Sequence, residues 1–313
     1  MELSLIIPTY NEVKYISQLL DSLIVNDGLS KEIFITDGGS TDGTIEIIKN
    51  YIQKFPGIFL INNPEKYVSF GFNKAYKLSK GKYISLIGAH ALYPEFFFKT
   101  GISYLSGNEC DVVGGPLLQK GKSITGKAIA YAMGTKFGVG GTEFRTENKK
   151  MFVDSVAFAI YKREVFEKVG LLDEELIRNQ DDELHYRINA AGLKILMVPE
   201  MACTYFVRDS LKKLFTQYFF YGFYKPLVLK KVRSGIRMRH IVPSLFVFYL
   251  CSLPLIFISK YWLIPLLFYV LIAFYFSASN NLSVKGKFIS FFVFPLLHIS
   301  YGSGFITGIK KII

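Results

Sequence analysis

Four short clusters carry side chains able to do chemistry. Thr9-Tyr-Asn-Glu12 and Asp37-Gly-Gly-Ser-Thr-Asp-Gly43 combine carboxylates and hydroxyls with glycines. A carboxylate in such a place accepts hydrogen bonds from an imide or a ribose hydroxyl, and glycines let backbone approach an anion. Asp37 before a glycine pair is equally what a tight turn asks for. Gly88-Ala-His90 offers an imidazole, either a metal ligand or a capped strand-end histidine. Gln180-Asp-Asp-Glu183 gathers three acids in what reads as the first turn of a helix. They complement its dipole in any case, and a carboxylate there can take a proton from an attacking hydroxyl.

The flanking pattern says what must hold these clusters. Residues 3–7 read as a short buried strand ended by Pro8. Asn11 is the expected N-cap of a helix whose apolar positions are Val13, Ile16, Leu19, Leu20, Leu23 and Ile24. Strands are predicted at 33–36, 59–61 and 83–87, with helices at 44–54 and 71–78 between them. This alternation predicts a mostly parallel α/β sheet, whose ligands gather at the carboxyl ends of the strands. The clusters at Thr9, Asp37 and Gly88 each follow a strand and are expected to share one crevice. Further on, 151–161 reads as a strand, 181–191 as a helix and 193–198 as a strand. Residues 117–150, with six glycines and little periodicity, read as a mobile loop.

Half of the 313 residues are apolar, and the excess lies at the carboxyl end. Apolar stretches at 241–259, 261–277 and 288–308 each approach the ~20 residues needed to cross a bilayer. The first two are expected to form a tight hairpin at Lys260. The third, with Gly302, Gly304 and Gly308, reads either as a span or as a re-entrant piece. Before them, residues 208–240 hold nine basic residues (Arg208, Lys212, Lys213, Lys225, Lys230, Lys231, Arg233, Arg237, Arg239) against Asp209 alone. Beside apolar spans, such charge suits anionic lipid headgroups rather than nucleic acid. By the positive-inside rule it places residues 1–207 on the cytoplasmic side of a multi-pass cell-membrane protein. No basic leader precedes the first strand, in keeping with that placement. Cys110, Cys203 and Cys251 are odd in number and form no CxxC, which argues against a disulfide framework or a zinc site.

Taken together, Ser4-Leu-Ile-Ile-Pro-Thr-Tyr-Asn-Glu12, Ile35-Thr-Asp-Gly-Gly-Ser-Thr-Asp-Gly-Thr44, the segment around His90 and Gln180-Asp181-x-Glu183-Leu184 resemble the family 2 glycosyltransferases. The resemblance implies a GT-A fold, described as Rossmann-like with a mostly parallel sheet. It implies contact of Pro8, Thr9, Tyr10, Asn11, Glu12, Asp37, Gly38, Ser40, Asn73, Gly88 and Ala89 with a nucleotide-diphosphate sugar. It makes Asp181 the general base of an inverting transfer, with Asp182 in reserve. His90 stands where the family holds a divalent cation, Mn²⁺ or Mg²⁺, and Gly88 stands where it usually has an aspartate. Gly138-Val-Gly-Gly-Thr-Glu-Phe-Arg145, Gln217-Tyr-Phe-Phe-Tyr-Gly-Phe-Tyr-Lys225, Pro243 and the segment from His298 are similar to succinoglycan-type exopolysaccharide glucosyltransferases. That subgroup implies a saccharide acceptor on a lipid diphosphate, with Arg145, Gln217 and Tyr221 on the acceptor or diphosphate side and Tyr224 at its entrance. The same aromatics also suit the interfacial belt of an amphipathic helix.

These expectations give three regions: a catalytic domain at 1–207, basic interfacial helices at 208–240 and a membrane region of two or three helices at 241–313. Gly88 also admits a catalytically impaired donor-binding subunit. A processive polysaccharide synthase fits less well, because three apolar segments are few for a channel and the Gln217 region lacks Gln-x-x-Arg-Trp.

Overall fold

The computed structural model describes residues 1–24, 28–89, 91–232 and 236–311. In chain order the elements are β1 (Leu3–Thr9), α1 (Ile16–Leu23), β2 (Lys31–Asp37), α2 (Thr44–Lys54), β3 (Ile58–Asn62), α3 (Val68–Leu78), β4 (Tyr83–Leu86), β5 (Ala91–Leu92), α4 (Phe97–Ser106), β6 (Val112–Gly115) and β7 (Leu117–Lys120). There follow α5 (Ile124–Met133), α6 (Lys136–Val139), α7 (Glu143–Thr146), β8 (Met151–Phe152), β9 (Ala157–Lys162), α8 (Arg163–Val169), α9 (Gln180–Ala190), β10 (Ile195–Met197) and β11 (Cys203–Phe206). The chain closes with α10 (Leu211–Val232), α11 (Met238–Cys251), α12 (Ile264–Ala278) and α13 (Val284–Ile309). These residues form two compact units, one of 1–118 with 147–205, the other of 119–146 with 206–313.

In the first unit, eight strands form one sheet in the order β3-β2-β1-β4-β9-β6-β10-β8. Strands β3, β2, β1 and β4 are mutually parallel, and β9 runs antiparallel between β4 and β6. β1 is central and nearly all buried, which is why it reads as a continuous apolar run rather than an alternating one. It runs through Pro8, where sequence predicts its end. Ile87 N–H donates to Ile6 O on the β4 side, and Gly38 N–H to Thr9 O on the β2 side. Alternation then turns Pro8 toward the β4 side, past the last paired residue, so its missing N–H interrupts no bond. α1 packs Ile16, Leu19, Leu20 and Leu23 inward, but it begins four residues later than predicted. Asn11 does not cap it; its backbone is left-handed (φ 55°), and Tyr15 holds the cap position. The strand expected at 151–161 is two strands, β8 beside β10 and β9 in the sheet's interior.

The second unit overturns the mobile loop at 117–150. α5, α6 and α7 lie there, and Ser123 and Thr135 cap the first two by accepting from Gly126 N–H (2.9 Å) and Gly138 N–H (3.0 Å). The inner face of α5 is built largely of alanine with Ile129 and Met133, so size rather than hydrophobic contrast marks it, and periodicity is weak. Phe137 sits among the rings of Tyr269, Phe276, Phe294 and His298. The apolar stretch at 241–259 gives a 14-residue α11, and two short 3₁₀ turns rather than a tight hairpin join it to α12. The segment with Gly302, Gly304 and Gly308 is one continuous helix of 26 residues. Among the described residues two stretches are long and apolar enough to cross a membrane, Lys260–Ala278 and Val284–Ile309.

The glycines of α13 have a packing reason. A Cβ on Gly304 would lie 2.0 Å from Phe219 O, one on Gly308 2.1 Å from Phe223 O, and one on Gly222 of α10 2.0 Å from Tyr301 O. The backbones of α10 and α13 touch along this seam, as small residues permit between apolar helices. Gly304→Val therefore lowers stability by about 1–3 kcal/mol or more, read as a lower unfolding temperature in detergent. Ser303→Val, next on the helix, has a clearly smaller effect.

Candidate active site

The carboxyl ends of β1, β2 and β3 are tied into one edge. Asp37, 3% exposed at the end of β2, accepts at Oδ1 from Gly39 N–H (2.9 Å) and Ser40 N–H (2.8 Å), and at Oδ2 from Ser40 Oγ (2.6 Å). Its carbonyl accepts from Asn63 N–H after β3 (2.8 Å). Asn11 joins the two loops, donating N–H to Ser40 Oγ (2.8 Å) and accepting at Oδ1 from Thr41 N–H (2.9 Å). Glu12 N–H donates to Thr44 Oγ1, and Val13 N–H to Asp42. Thr9 is buried and donates to Ile7 O, whereas the Tyr10 ring is exposed beside Gly38. Lys66 brings its ammonium to 5.0 Å from that ring, a neighbour the sequence did not single out. Tyr10 and Lys66 frame the Asp37 loop with an aromatic face and a cation.

Gly88 follows β4 on the neighbouring strand. Its N–H donates to Tyr93 OH (2.9 Å), and Ala89 is buried. A Cβ on Gly88 would lie 2.3 Å from the Phe158 ring, which itself packs edge-on to Tyr93. Because β9 is antiparallel to β4, its first residues reach this same edge. Phe158 takes a left-handed backbone (φ 52°) there, an uncommon state for a bulky residue and one found at functional sites. Its ring occupies the space into which a side chain at position 88 would grow. His90 lies outside the described residues. Among the described residues no group of three or more His, Cys, Asp or Glu is placed to hold a metal ion. Gly88 has no donor to offer and no room for one, so these residues do not fit a cation held by a carboxylate there.

α9 carries the acid cluster, and its acids divide by role. Glu183 is buried and holds Arg187 in a two-point pair, Oε1 to Nε and Oε2 to Nη2, both 2.7 Å. Arg187 also donates to the carbonyls of Val169, Gly170 and Leu171 (2.7 Å to Leu171), which fixes the segment before α9. Asp181 is exposed and Asp182 half-buried. Behind Asp181, His185 is buried between Ser155 Oγ (2.8 Å at Nδ1) and Tyr161 OH (2.9 Å at Nε2). Burial pushes the His185 pKa down to about 4, with Asp182 opposing. Burial first, then the charge of Asp181, pushes Tyr161 up, so the candidate base stands within electrostatic reach of this buried chain.

Asn73 turns its amide toward the segment before α9. Its Nδ2 donates to Leu172 O and Glu174 Oε1 (both 2.9 Å), and its Oδ1 accepts from Leu172 N–H (3.2 Å). It holds the segment leading to α9. Arg145, Gln217, Tyr221 and Tyr224 belong to the second unit. There Gln217 donates to Tyr221 OH (3.0 Å), and Tyr224 is buried. Sequence reasoning missed Tyr93, Phe158 and Tyr161, whose places depend on strand order; His185, four residues after Asp181 on the buried face of a predicted helix, was findable.

A parallel-rich sheet with its polar loops joined at the strand ends has the architecture of the GT-A glycosyltransferases. The chain belongs to the glycosyl transferase family 2, whose model matches residues 4–170. It is 32% identical to the succinoglycan biosynthesis protein ExoA of Rhizobium meliloti over 242 residues, 76% of this chain and 73% of that one. It is 29% identical over 238 residues (73% and 74%) to a Methanococcus voltae dolichyl N-acetyl-α-D-glucosaminyl phosphate 3-β-D-2,3-diacetamido-2,3-dideoxy-β-D-glucuronosyltransferase. Its fold matches the mannosyltransferase PcManGT from Pyrobaculum calidifontis, solved with GDP-Man and Mn²⁺ (TM-score 0.63, 16% identity, 99% of this chain and 87% of that one). It also matches residues 1–349 of TarS from S. aureus with UDP-GlcNAc (TM-score 0.53, 15% identity, 99% and 92%).

Two outcomes follow from this geometry. Gly88→Ala loses about 1–3 kcal/mol by overpacking, and Phe158→Ala in the same chain reduces that loss; a double-mutant cycle with no coupling between the two would refute the steric account. His185 stays neutral in the folded chain down to about pH 4, whereas the unfolded chain protonates it near pH 6.5. The unfolded state thus binds more protons in that window, and stability falls as pH drops from 6.5 to 4, by about 3 kcal/mol in full. Thermal unfolding of His185→Gln across this window shows a shallower decline than the parent.

Proposed function

We propose that the chain transfers a single sugar, with inversion, from a nucleotide-diphosphate sugar to a saccharide carried on a lipid diphosphate at the membrane surface, in exopolysaccharide or cell-surface glycan synthesis. The observation that carries this reading is the tied edge of β1, β2 and β3, where Asp37, Ser40 and Asn11 hold a preformed loop under the exposed Tyr10 ring. The nucleotide half of the donor binds there in this reading. Its base stacks on Tyr10 and meets the Thr9–Glu12 and Asp37–Ser40 loops, with Lys66 adding positive charge beside the phosphates. A uracil base suits the acceptor-rich Asp37 edge through its imide N–H.

Asp181 is the base in this proposal. It takes the proton of the acceptor hydroxyl as that oxygen attacks the anomeric carbon on the face opposite the diphosphate, which departs with the bonding electrons. Asp182 is the reserve. Tyr161 and His185 hold the helix turn beneath it. Arg145, Gln217 and Tyr221 are proposed on the acceptor side. No step is assigned to a divalent cation, because Gly88 brings no carboxylate and Phe158 fills the space where one would stand; Mn²⁺ or Mg²⁺ on His90 is tested by adding EDTA. Lys260–Ala278 and Val284–Ile309 are proposed as the membrane spans, with the basic α10 on the cytoplasmic side together with the catalytic unit. The succinoglycan protein and the dolichyl-phosphate enzyme support a polysaccharide or lipid-linked acceptor.

Gly88 with its Phe158 neighbour also favours a second reading, a subunit that binds a donor without transferring it. Radiolabelled sugar transfer into a lipid extract separates the two. Wild type transfers; Asp181→Asn loses transfer by roughly 10²–10⁴-fold while nucleotide-sugar binding, followed by thermal shift, stays intact. Near-normal turnover by Asp181→Asn removes the base assignment, and a wild type that binds donors but never transfers establishes the second reading.

A further inference from the structure

The segment from Gly138 to Arg145, from the end of α6 into α7, has a structural purpose inside the second unit. Gly140, in the left-handed region (φ 64°), lets the backbone lie against the stem of Arg239; a Cβ there would fall 2.5 Å from Arg239 Cβ. This brings Glu143 to two guanidiniums at once, 3.7 Å from Arg237 Nη1 and 3.6 Å from Arg239 Nη1. Two positive charges share one carboxylate. Burial, and after it the charge of Arg239, hold the Arg237 pKa below its usual value, with Glu143 opposing. The Arg237 side chain is still 37% exposed, so an anion can reach it.

What lies next to the pair indicates the rest of the ligand. Arg237 is the residue before α11, and the helix begins at Met238. Met238, Val242, Leu245 and Phe248 recur at helical spacing and are each 49–68% exposed. An apolar stripe thus starts where the guanidiniums sit. A phosphate head between two arginines with a hydrocarbon tail along that stripe satisfies both features; a soluble anion uses one of them only. Arginine suits the head because its planar fork binds phosphate oxygens two at a time, and the first N–H groups of α11 add to the field.

We infer that Arg237 and Arg239, with the exposed stripe of α11, form a binding site for the diphosphate head and polyprenyl tail of a lipid carrier. Glu143 holds the pair together when the site is empty and is displaced as the more highly charged diphosphate enters. The inference rests on the lipid-linked acceptor proposed above and gives it a place in the chain.

The full chain in detergent is titrated with farnesyl diphosphate, with inorganic diphosphate and with phosphatidylglycerol, and bound ligand is counted by native mass spectrometry. Farnesyl diphosphate binds best. Arg237→Gln with Arg239→Gln weakens it by roughly tenfold or more, as expected for charged hydrogen bonds, and Glu143→Gln tightens it. Opposite signs in the two variants exclude misfolding as the cause. Unchanged binding in the arginine variant overturns the site. Equal binding of phosphatidylglycerol with the same residue dependence overturns the carrier and assigns the site to bulk headgroups. The titration contains no nucleotide sugar, so absent sugar transfer alongside arginine-dependent farnesyl diphosphate binding counts against the proposed function and leaves this site standing.

Discussion

The carboxylate of Asp37 is the interaction on which the site depends. β1 and β2 are buried strands of the sheet's interior, so the chain leaves their ends with polar groups that must find partners inside the protein. Asp37 supplies them at a single point, accepting from Gly39 N–H, Ser40 N–H and Ser40 Oγ while its own carbonyl accepts from Asn63. Hydrogen bonds to a charged group contribute roughly 1.5–3 kcal/mol each, enough to hold a loop of small residues in one shape. The turn-forming and ligand-binding readings of Asp37 are therefore not rivals. The turn is what preforms the edge.

Strain gathers around the same place. Five non-glycine residues among those described have positive φ: Asn11, Lys66, Asn108, Phe158 and Asn179. Asn11 follows β1, Lys66 follows β3, Phe158 stands at the start of β9 and Asn179 at the N-cap of α9. Such conformations cost of order 1–3 kcal/mol each and persist where surrounding contacts enforce them. Here those contacts are visible. Asn11 is held by Ser40 and Thr41, Lys66 N–H donates to Asn63, and Phe158 is packed on Tyr93 and Gly88. Substitution of Gly88 thus cannot be judged alone, because Phe158 has taken the volume.

What the sequence made legible follows from which physical signal each element carries. The βα alternation up to β4 was readable because buried strands and amphipathic helices leave strong apolar periods, and the paired motifs at Thr9 and Asp37 pointed to one edge. The start of α1 was misplaced because Asn11, a good capping residue, is instead used to bond the neighbouring loop. The sheet beyond β4 was not legible: β9 enters between β4 and β6 through long-range pairing that no local pattern announces. Asn73 likewise has partners that no local pattern announces. Its amide bonds Leu172 and Glu174, partners about a hundred residues away in sequence and adjacent only once α3 and the segment before α9 are packed.

The second unit was legible in composition and not in architecture. Glycine in 119–146 and in α13 suggested mobility or re-entry, whereas glycine without a side chain is also the residue that lets two backbones touch. Which meaning applies depends on what stands opposite. Opposite Gly304 and Gly308 stand carbonyls of α10, and opposite Gly140 stands the stem of Arg239. The same residue type closes a helix seam in one case and aims a carboxylate at two guanidiniums in the other. In an apolar setting a seam of this kind gains from close dispersion contact and not from burial against water. Packed so tightly on α10, α13 runs unbroken along the seam, so its continuity and the glycines along it are one feature.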